Sequence, residues 1–181
     1  MLRFDEEKHA YYWNDKKVPS VSEILQKVGL CKDYTGISPF YAERGAATHL
    51  AIKYFLKGTL DEDSLDPVVR PHFEAFRAYW SKHRHKPIQI EEPLYDENWK
   101  YAGTPDLVCE DMIIDWKCSK NHDRVAELQG EGYKVLVGPP IRFRVVQLMD
   151  SGNYEVFDYG EKIEYWESIW KLYHWKVKRK E

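Results

Sequence analysis

Apolar residues recur at helical spacing in the first half of the chain, alternate as in strands through the middle, and return to helical spacing at the C-terminus. Residues 9–18, H-A-Y-Y-W-N-D-K-K-V, predict a small hairpin turning at Asn14-Asp15. Ser20-Val21-Ser22-Glu23 has the form of a capping box, so a helix starts there with Ser20 as N-cap and Glu23 answering it. Ser38-Pro39 opens a second helix that runs to Gly58, since serine caps and proline fits a first turn. Acidic D-E-D-S-L-D at 61–66 predicts a solvated loop, followed by a helix over about 66–84 that ends in Lys82-His83-Arg84-His85-Lys86. Then the texture changes. Residues 87–96, 99–109 and 112–117 carry short β-type runs, and 122–137 is helical. Residues 141–149 (I-R-F-R-V-V-Q-L-M) alternate as a strand, a shorter one lies near 153–158, and 161–180 is a helix rich in Trp and Tyr.

This order predicts a single α/β domain over 1–181, a mixed sheet packed on helices. Its parts are an N-terminal hairpin and helices (1–86), a core (87–160) and a closing helix (161–181). A chain of 181 residues can bury one full core. At 43% hydrophobic and 31% charged residues, with seven Trp and thirteen Tyr, it is not a disordered chain. The net charge of −3 supplies no broad basic field, although a site that binds cations needs local acidity, so the sum decides little. Cys31, Cys109 and Cys118 make neither a disulfide framework nor a CxxC zinc pattern, which points to a reducing, cytoplasmic setting. There is no apolar run of the roughly 18 residues a spanning helix needs, and no signal peptide.

The chemistry concentrates in residues 102–119, A-G-T-P-D-L-V-C-E-D-M-I-I-D-W-K-C-S. Glu110-Asp111 is the polar break between the two apolar runs. A turn there pairs Cys109 with Met112, Val108 with Ile113 and Asp106 with Asp115. Opposed residues on a hairpin have Cβ atoms about 4.5–5.5 Å apart. Alternation then puts Asp106, Val108, Ile113, Asp115 and Lys117 on one face. Two opposed carboxylates repel unless something positive sits between them. Hard oxygen ligands at that position suit Mg²⁺ or Mn²⁺, with Lys117 able to reach past the ion towards a substrate anion.

Pro105-Asp106, eight residues, then Asp115-Trp116-Lys117 resembles the signature of the PD-(D/E)XK nuclease superfamily. Gln129 and Tyr133 in A-E-L-Q-G-E-G-Y-K are similar to the Q-x₃-Y motif of its RecB-like exonuclease branch. R-G-A-A-T-H at 44–49 is similar to that branch's R-G-x-x-x-H helix, and V-P-S-V-S-E-I-L at 18–25 to the segment before that helix in phage-type and mitochondrial members. The resemblance spans about 18–150, with the motifs in family order. It implies a restriction-endonuclease-like core and a metal-dependent deoxyribonuclease, an exonuclease on single-stranded DNA or DNA ends in replication, recombination or repair. Alternatives are a structure-specific endonuclease of the same superfamily and a catalytically inactive nucleic-acid-binding module. By the same resemblance, one or two Mg²⁺ or Mn²⁺ ions are held by Asp106, Asp115, His49 and the Trp116 main-chain carbonyl. Lys117 acts on the water or the phosphate, and Gln129 and Tyr133 position the water, Lys117 or the DNA strand. Iron–sulfur members of the branch use four cysteines flanking the core. The three here do not match, so no cluster is expected.

Other positions have two readings. Gln129 and Tyr133 share a helix face, where Tyr133 could also be plain core. Gly130 and Gly132 each cost roughly 1 kcal/mol against Ala in a helix, which a close approach by a backbone or ligand would justify. Glu91 and Glu92 could add an acid, with Glu92 the candidate. Arg44 can bind phosphate or brace its helix. Tyr11, Tyr12, Trp13, Tyr34, Phe40 and Tyr41 can stack on bases or pack. Trp166, Ile169, Trp170, Tyr173 and Val177 recur at helical spacing as packing residues, while Lys176, Lys178, Arg179 and Lys180 could touch a phosphate backbone. No G-x-x-x-x-G-K-[ST] loop and no G-x-S-x-G elbow is present, which excludes an ATP-driven motor and a serine-elbow hydrolase.

Overall fold

The computed structural model describes residues 1–31, 38–119, 122–139 and 141–178. Tyr34, Arg179, Lys180 and the side chain of Lys178 lie outside the described residues. Strands β1 (Leu2–Asp5), β2 (Ala10–Trp13) and β3 (Lys16–Val18) form one antiparallel sheet. The hairpin turns at Asn14-Asp15 as expected. Both residues have positive φ, 48° and 63°, which a two-residue turn needs to match strand twist. β1 is an addition: Leu2 and Phe4 alternate and pair with Trp13 and Tyr11, a pattern too short to register before its partner strand is known.

The capping box heads α1 (Val21–Val28). Ser20 Oγ accepts from the Glu23 N–H at 3.0 Å, and Glu23 Oε2 accepts from the Ser20 N–H at 3.1 Å. α2 (Pro39–Leu56) begins after Ser38, which holds the N-cap position without a side-chain capping bond. A 3-10 turn (Glu62–Ser64) crosses the acidic loop, and α3 (Arg70–His83) starts later than the apolar spacing suggested. Asp66 caps a first turn, its carboxylate accepting from the Val68 N–H at 2.8 Å and its carbonyl from Val69 and Arg70, but Pro71 has no N–H to continue the ladder to the Pro67 carbonyl.

The middle of the chain is more broken than its apolar runs. Residues 87–96 divide into β4 (Pro87–Ile90) and β5 (Leu94–Asp96), and 99–109 into β6 (Tyr101–Gly103) and β7 (Leu107–Cys109). Each break contains a proline, Pro93 or Pro105, which has no N–H to give a ladder. β5 and β6 pair with each other. β8 (Met112–Lys117), α4 (Val125–Val137), β9 (Arg142–Leu148), β10 (Tyr154–Tyr159) and α5 (Trp166–Lys178) complete the chain.

The main sheet has the order β10-β9-β8-β7-β4; β8 and β9 are parallel and the other neighbours antiparallel. This is the central mixed sheet flanked by helices read from the sequence, with α4 as the crossover that a parallel pair requires. Alternation gives its central strands two apolar faces. Val108, Ile113, Phe143 and Val145 pack with α1, α4 and α5, and Leu107, Ile114, Trp116 and Val146 pack with α2 and α3. Trp166 and Ile169 of α5 are core, as expected. Lys176 caps α1 by donating to the Val28 carbonyl at 2.9 Å. Among the described residues, no helix is long and apolar enough to cross a membrane.

Candidate active site

The register read about Glu110-Asp111 matches the paired residues: Leu107 opposes Ile114 and Val108 opposes Ile113. Continued outward, it brings Asp106, at the entry to β7, beside Asp115 on β8. The two acids avoid a head-on meeting because Asp106 is bonded elsewhere. Its Oδ2 accepts the Trp116 N–H at 2.8 Å and its Oδ1 lies 3.3 Å from His49 Nδ1. Trp116 sends its indole into the opposite core. A strand residue's N–H and C=O point to the same side, so its carbonyl lies on the Asp106 side.

A cavity of about 300 Å³ gathers the expected residues: His49, Asp106, Asp115, Lys117, Gln129 and Tyr133 all line it. The Lys117 ammonium lies 2.7 Å from Asp115 Oδ2 and donates to Gln129 Oε1 at 3.1 Å. Gln129 Nε2 in turn donates to the Tyr133 hydroxyl at 3.0 Å. The helical i, i+4 pair is therefore a relay that fixes the lysine from behind, and Tyr133 serves both core and site.

The extra acid suggested by the sequence is Glu92. Glu92 is exposed and does not line the cavity, whereas Glu91 does. Ile90 opposes Leu107 in the α3-side core, so alternation sends the next residue to the site face. The Glu91 N–H donates to the Asp106 carbonyl at 3.0 Å and φ is 47°. Ligand atoms of His49, Glu91 and Asp106 all lie within 4.8 Å of one another.

Arg44 does not line the cavity. Its buried guanidinium donates to Asp150 Oδ1 at 2.9 Å and to the Cys118 carbonyl at 3.1 Å, tying α2 to the chain just after Lys117. Of the aromatics, Tyr11 is buried, with its hydroxyl bonded to Thr104 Oγ1 at 2.8 Å, and Trp13 stacks on Tyr95 at 4.4 Å. Phe40 and Tyr41 are exposed.

Each acid of the site has a cation beside it: Asp106 has His49, Asp115 has Lys117, and Glu91 has Lys53 at 3.0 Å. Burial opposes a charge on His49, but the Asp106 carboxylate outweighs it and lifts the imidazole pKa to about 9. Asp106 is also held against by burial, yet His49 and Lys117 bring its carboxyl below the usual range. Asp115 is raised, to about 6, because burial exceeds the help from Lys117. Burial keeps the Tyr133 phenol protonated far into the alkaline range. His49, Glu91 and Asp106 fit a hard divalent cation, two carboxylates and one imidazole at mutual reach; Asp115 is not one of these three, and its buried Oδ2 lies against Lys117.

No protein-family model matches the chain, and no curated protein matches it by sequence. Solved structures share its fold. An alkaline exonuclease (LHK-Exo) from Laribacter hongkongensis superposes with a TM-score of 0.54 at 11% identity, covering 88% of this chain and 86% of that one. LHK-Exo in complex with dAMP gives 0.54 at 14% identity, covering 90% and 87%. A protein from Eubacterium rectale put forward as an exonuclease gives 0.53 at 13% identity, covering 87% and 71%.

Proposed function

We propose that this chain is a metal-dependent deoxyribonuclease of the PD-(D/E)XK type, an exonuclease acting on single-stranded DNA or DNA ends in replication, recombination or repair. One observation carries the reading. Asp106, Asp115 and Lys117 meet His49 and Glu91 in one cavity, with the lysine held from behind by Gln129. The fold shared with exonucleases, one of them seen in complex with dAMP, supports it.

His49, Glu91, Asp106, Asp115 and the Trp116 carbonyl would hold Mg²⁺ or Mn²⁺. When bound, one or two such ions lower the pKa of a water and offset charge on the phosphate. The protein's own groups do the rest. Lys117, steered by Asp115 and Gln129, lies where it can orient the attacking water or stabilise charge on the phosphate oxygens. Tyr133, neutral and bonded to Gln129, keeps that relay in one arrangement. Arg44 positions the relay from outside by holding the Cys118 carbonyl.

The test uses end-labelled and circular DNA, single- and double-stranded, with Mg²⁺, Mn²⁺ or EDTA. Digestion of linear but not circular DNA is expected, lost in Asp115→Ala and Lys117→Ala while both stay folded. Cleavage of circles would make the protein an endonuclease. Binding without cleavage would make it a binding module, and undiminished activity in both variants would overturn the site.

A further inference from the structure

We propose that Phe4 on the N-terminal sheet and His9 at its turn form a stacking platform, one ring lying against the base and the other meeting its edge, for the unpaired base next to the phosphate that enters the Asp106 and Asp115 cavity. The inference rests on the nuclease reading and names the part of the substrate that this reading leaves open.

Beside the site cavity lies a wider groove of about 740 Å³, and Phe4, His9, His49, Glu91 and Thr104 line both. The two spaces are therefore continuous, and the two rings sit at their junction. Phe4 and His9 meet edge to face, with centroids 5.3 Å apart and planes at 83°. Tyr11 backs Phe4 at 4.6 Å and is itself tied to Thr104 through its hydroxyl at 2.8 Å. Phe4 is thus held from behind, while His9 is exposed at a turn with φ 47°. The opposite wall is α2, where Gly45 and Ala46 keep the groove wide; a side chain built on Gly45 would meet nothing within 4 Å.

Charge decides what the groove can hold. Among the described residues lining it, the one lysine, Lys53, is paired with Glu91, His49 is paired with Asp106, and Glu6 adds a further acid. Phosphates, of a duplex or of a single strand, bind through cations, and this wall does not supply them. Aromatic rings, small residues and exposed Leu50 suit the flat face of a base instead. A base inside a duplex has both faces covered by its neighbours, so the occupant is the unpaired nucleotide of a single strand.

The experiment compares wild type, Phe4→Leu and His9→Ala on end-labelled single strands carrying an abasic nucleotide at each of the first few positions in turn. Stacking contributes enough per base that wild type should lose about tenfold or more in kcat/KM at one abasic position. Both variants should show a similar loss on intact strands and lose nothing further at that position. Phe4→Leu keeps an apolar side chain in the small core, and His9, being exposed, gives a second variant whose fold is not at stake. Wild-type rates in both variants, or equal losses on intact and abasic strands, would overturn the platform. If wild type cleaves nothing with either metal, the nuclease reading fails separately. Quenching of 2-aminopurine in a bound single strand then tests the platform alone: quenching that is lost in Phe4→Leu supports it, and no quenching by wild type overturns it.

Discussion

Replacing Gly130 with alanine should destabilise this protein, although alanine is the better helix former. In a helix interior the exchange alone is worth about 1 kcal/mol in alanine's favour. Here a Cβ on Gly130 would press against the Phe143 ring of β9, closer to Cδ1, Cγ and Cε1 than real Cβ atoms approach. Phe143 is fully buried, with Tyr159 stacked at 5.9 Å, so the ring has no free volume to enter. Overpacking of that kind costs typically about 1–3 kcal/mol, occasionally more. A clash with three ring atoms belongs at the upper end, so the net loss is about 1–2 kcal/mol after the helix gain. At roughly 2–4 °C per kcal/mol for a domain of this size, Tm should fall by about 2–8 °C. Gly45→Ala on α2 is the matched control. Its Cβ meets nothing, so the propensity gain should stand and Tm should rise. Thermal melts of the two variants in EDTA read the opposite signs directly. Adding Phe143→Leu to Gly130→Ala should cost less than the two separate losses combined, because the smaller side chain vacates the contested space. A Gly130→Ala protein as stable as wild type, or strictly additive losses in the double variant, would refute the packing account of this glycine.

Asp115→Asn should abolish cleavage yet raise stability in EDTA at neutral pH. Its carboxyl is raised to about 6 in the fold, so wild-type stability falls as pH rises from the unfolded value through about 6; urea melts across that window should lose this slope in the variant. His49, lifted to about 9, must shed its proton to ligate a metal. Metal binding at neutral pH should therefore release about one proton, detectable by calorimetry in buffers of different ionisation enthalpy; Glu91→Gln should weaken that binding and Glu92→Gln should not. Arg44→Met should lower kcat more than it raises KM, since it acts on Lys117 only through the Cys118 carbonyl; a change confined to KM would point to direct phosphate contact instead. Buried His72, whose pKa is lowered by burial, contributes stability that is present above about 6.5 and lost at lower pH; His72→Gln should flatten the acid limb of the stability curve.

Elements set by local rules were legible in the sequence. The capping box, the Asn14-Asp15 turn and the alternation of 141–149 each depend on residues close together in the chain, and each appears where its rule puts it. What was not legible depends on partners. β1 exists because β2 lies beside it. The glycines of α4 read as room for a backbone or ligand, but the visitors are rings: Phe143 at Gly130 and Trp166, 2.8 Å from a Cβ on Gly132. The bond from Arg44 to Asp150, more than a hundred residues away, could not be read from its own helix.

The choice between Glu91 and Glu92 shows how far register reasoning reaches. The register of β7 and β8 about Glu110-Asp111 brought Asp106 and Asp115 together because both strands leave one tight turn, where a residue cannot slip without exposing its apolar set. β4 reaches β7 from a distant part of the chain, with an irregularity between Pro87 and Gln89. Counting from Ile88 across that irregularity carries no face assignment to the end of the strand. Ile90 does, since it opposes Leu107 and shares its core. Once that pair is fixed, the following residue belongs to the face of Asp106, and Glu91 enters the site by the same alternation that brought in Asp115 and Lys117.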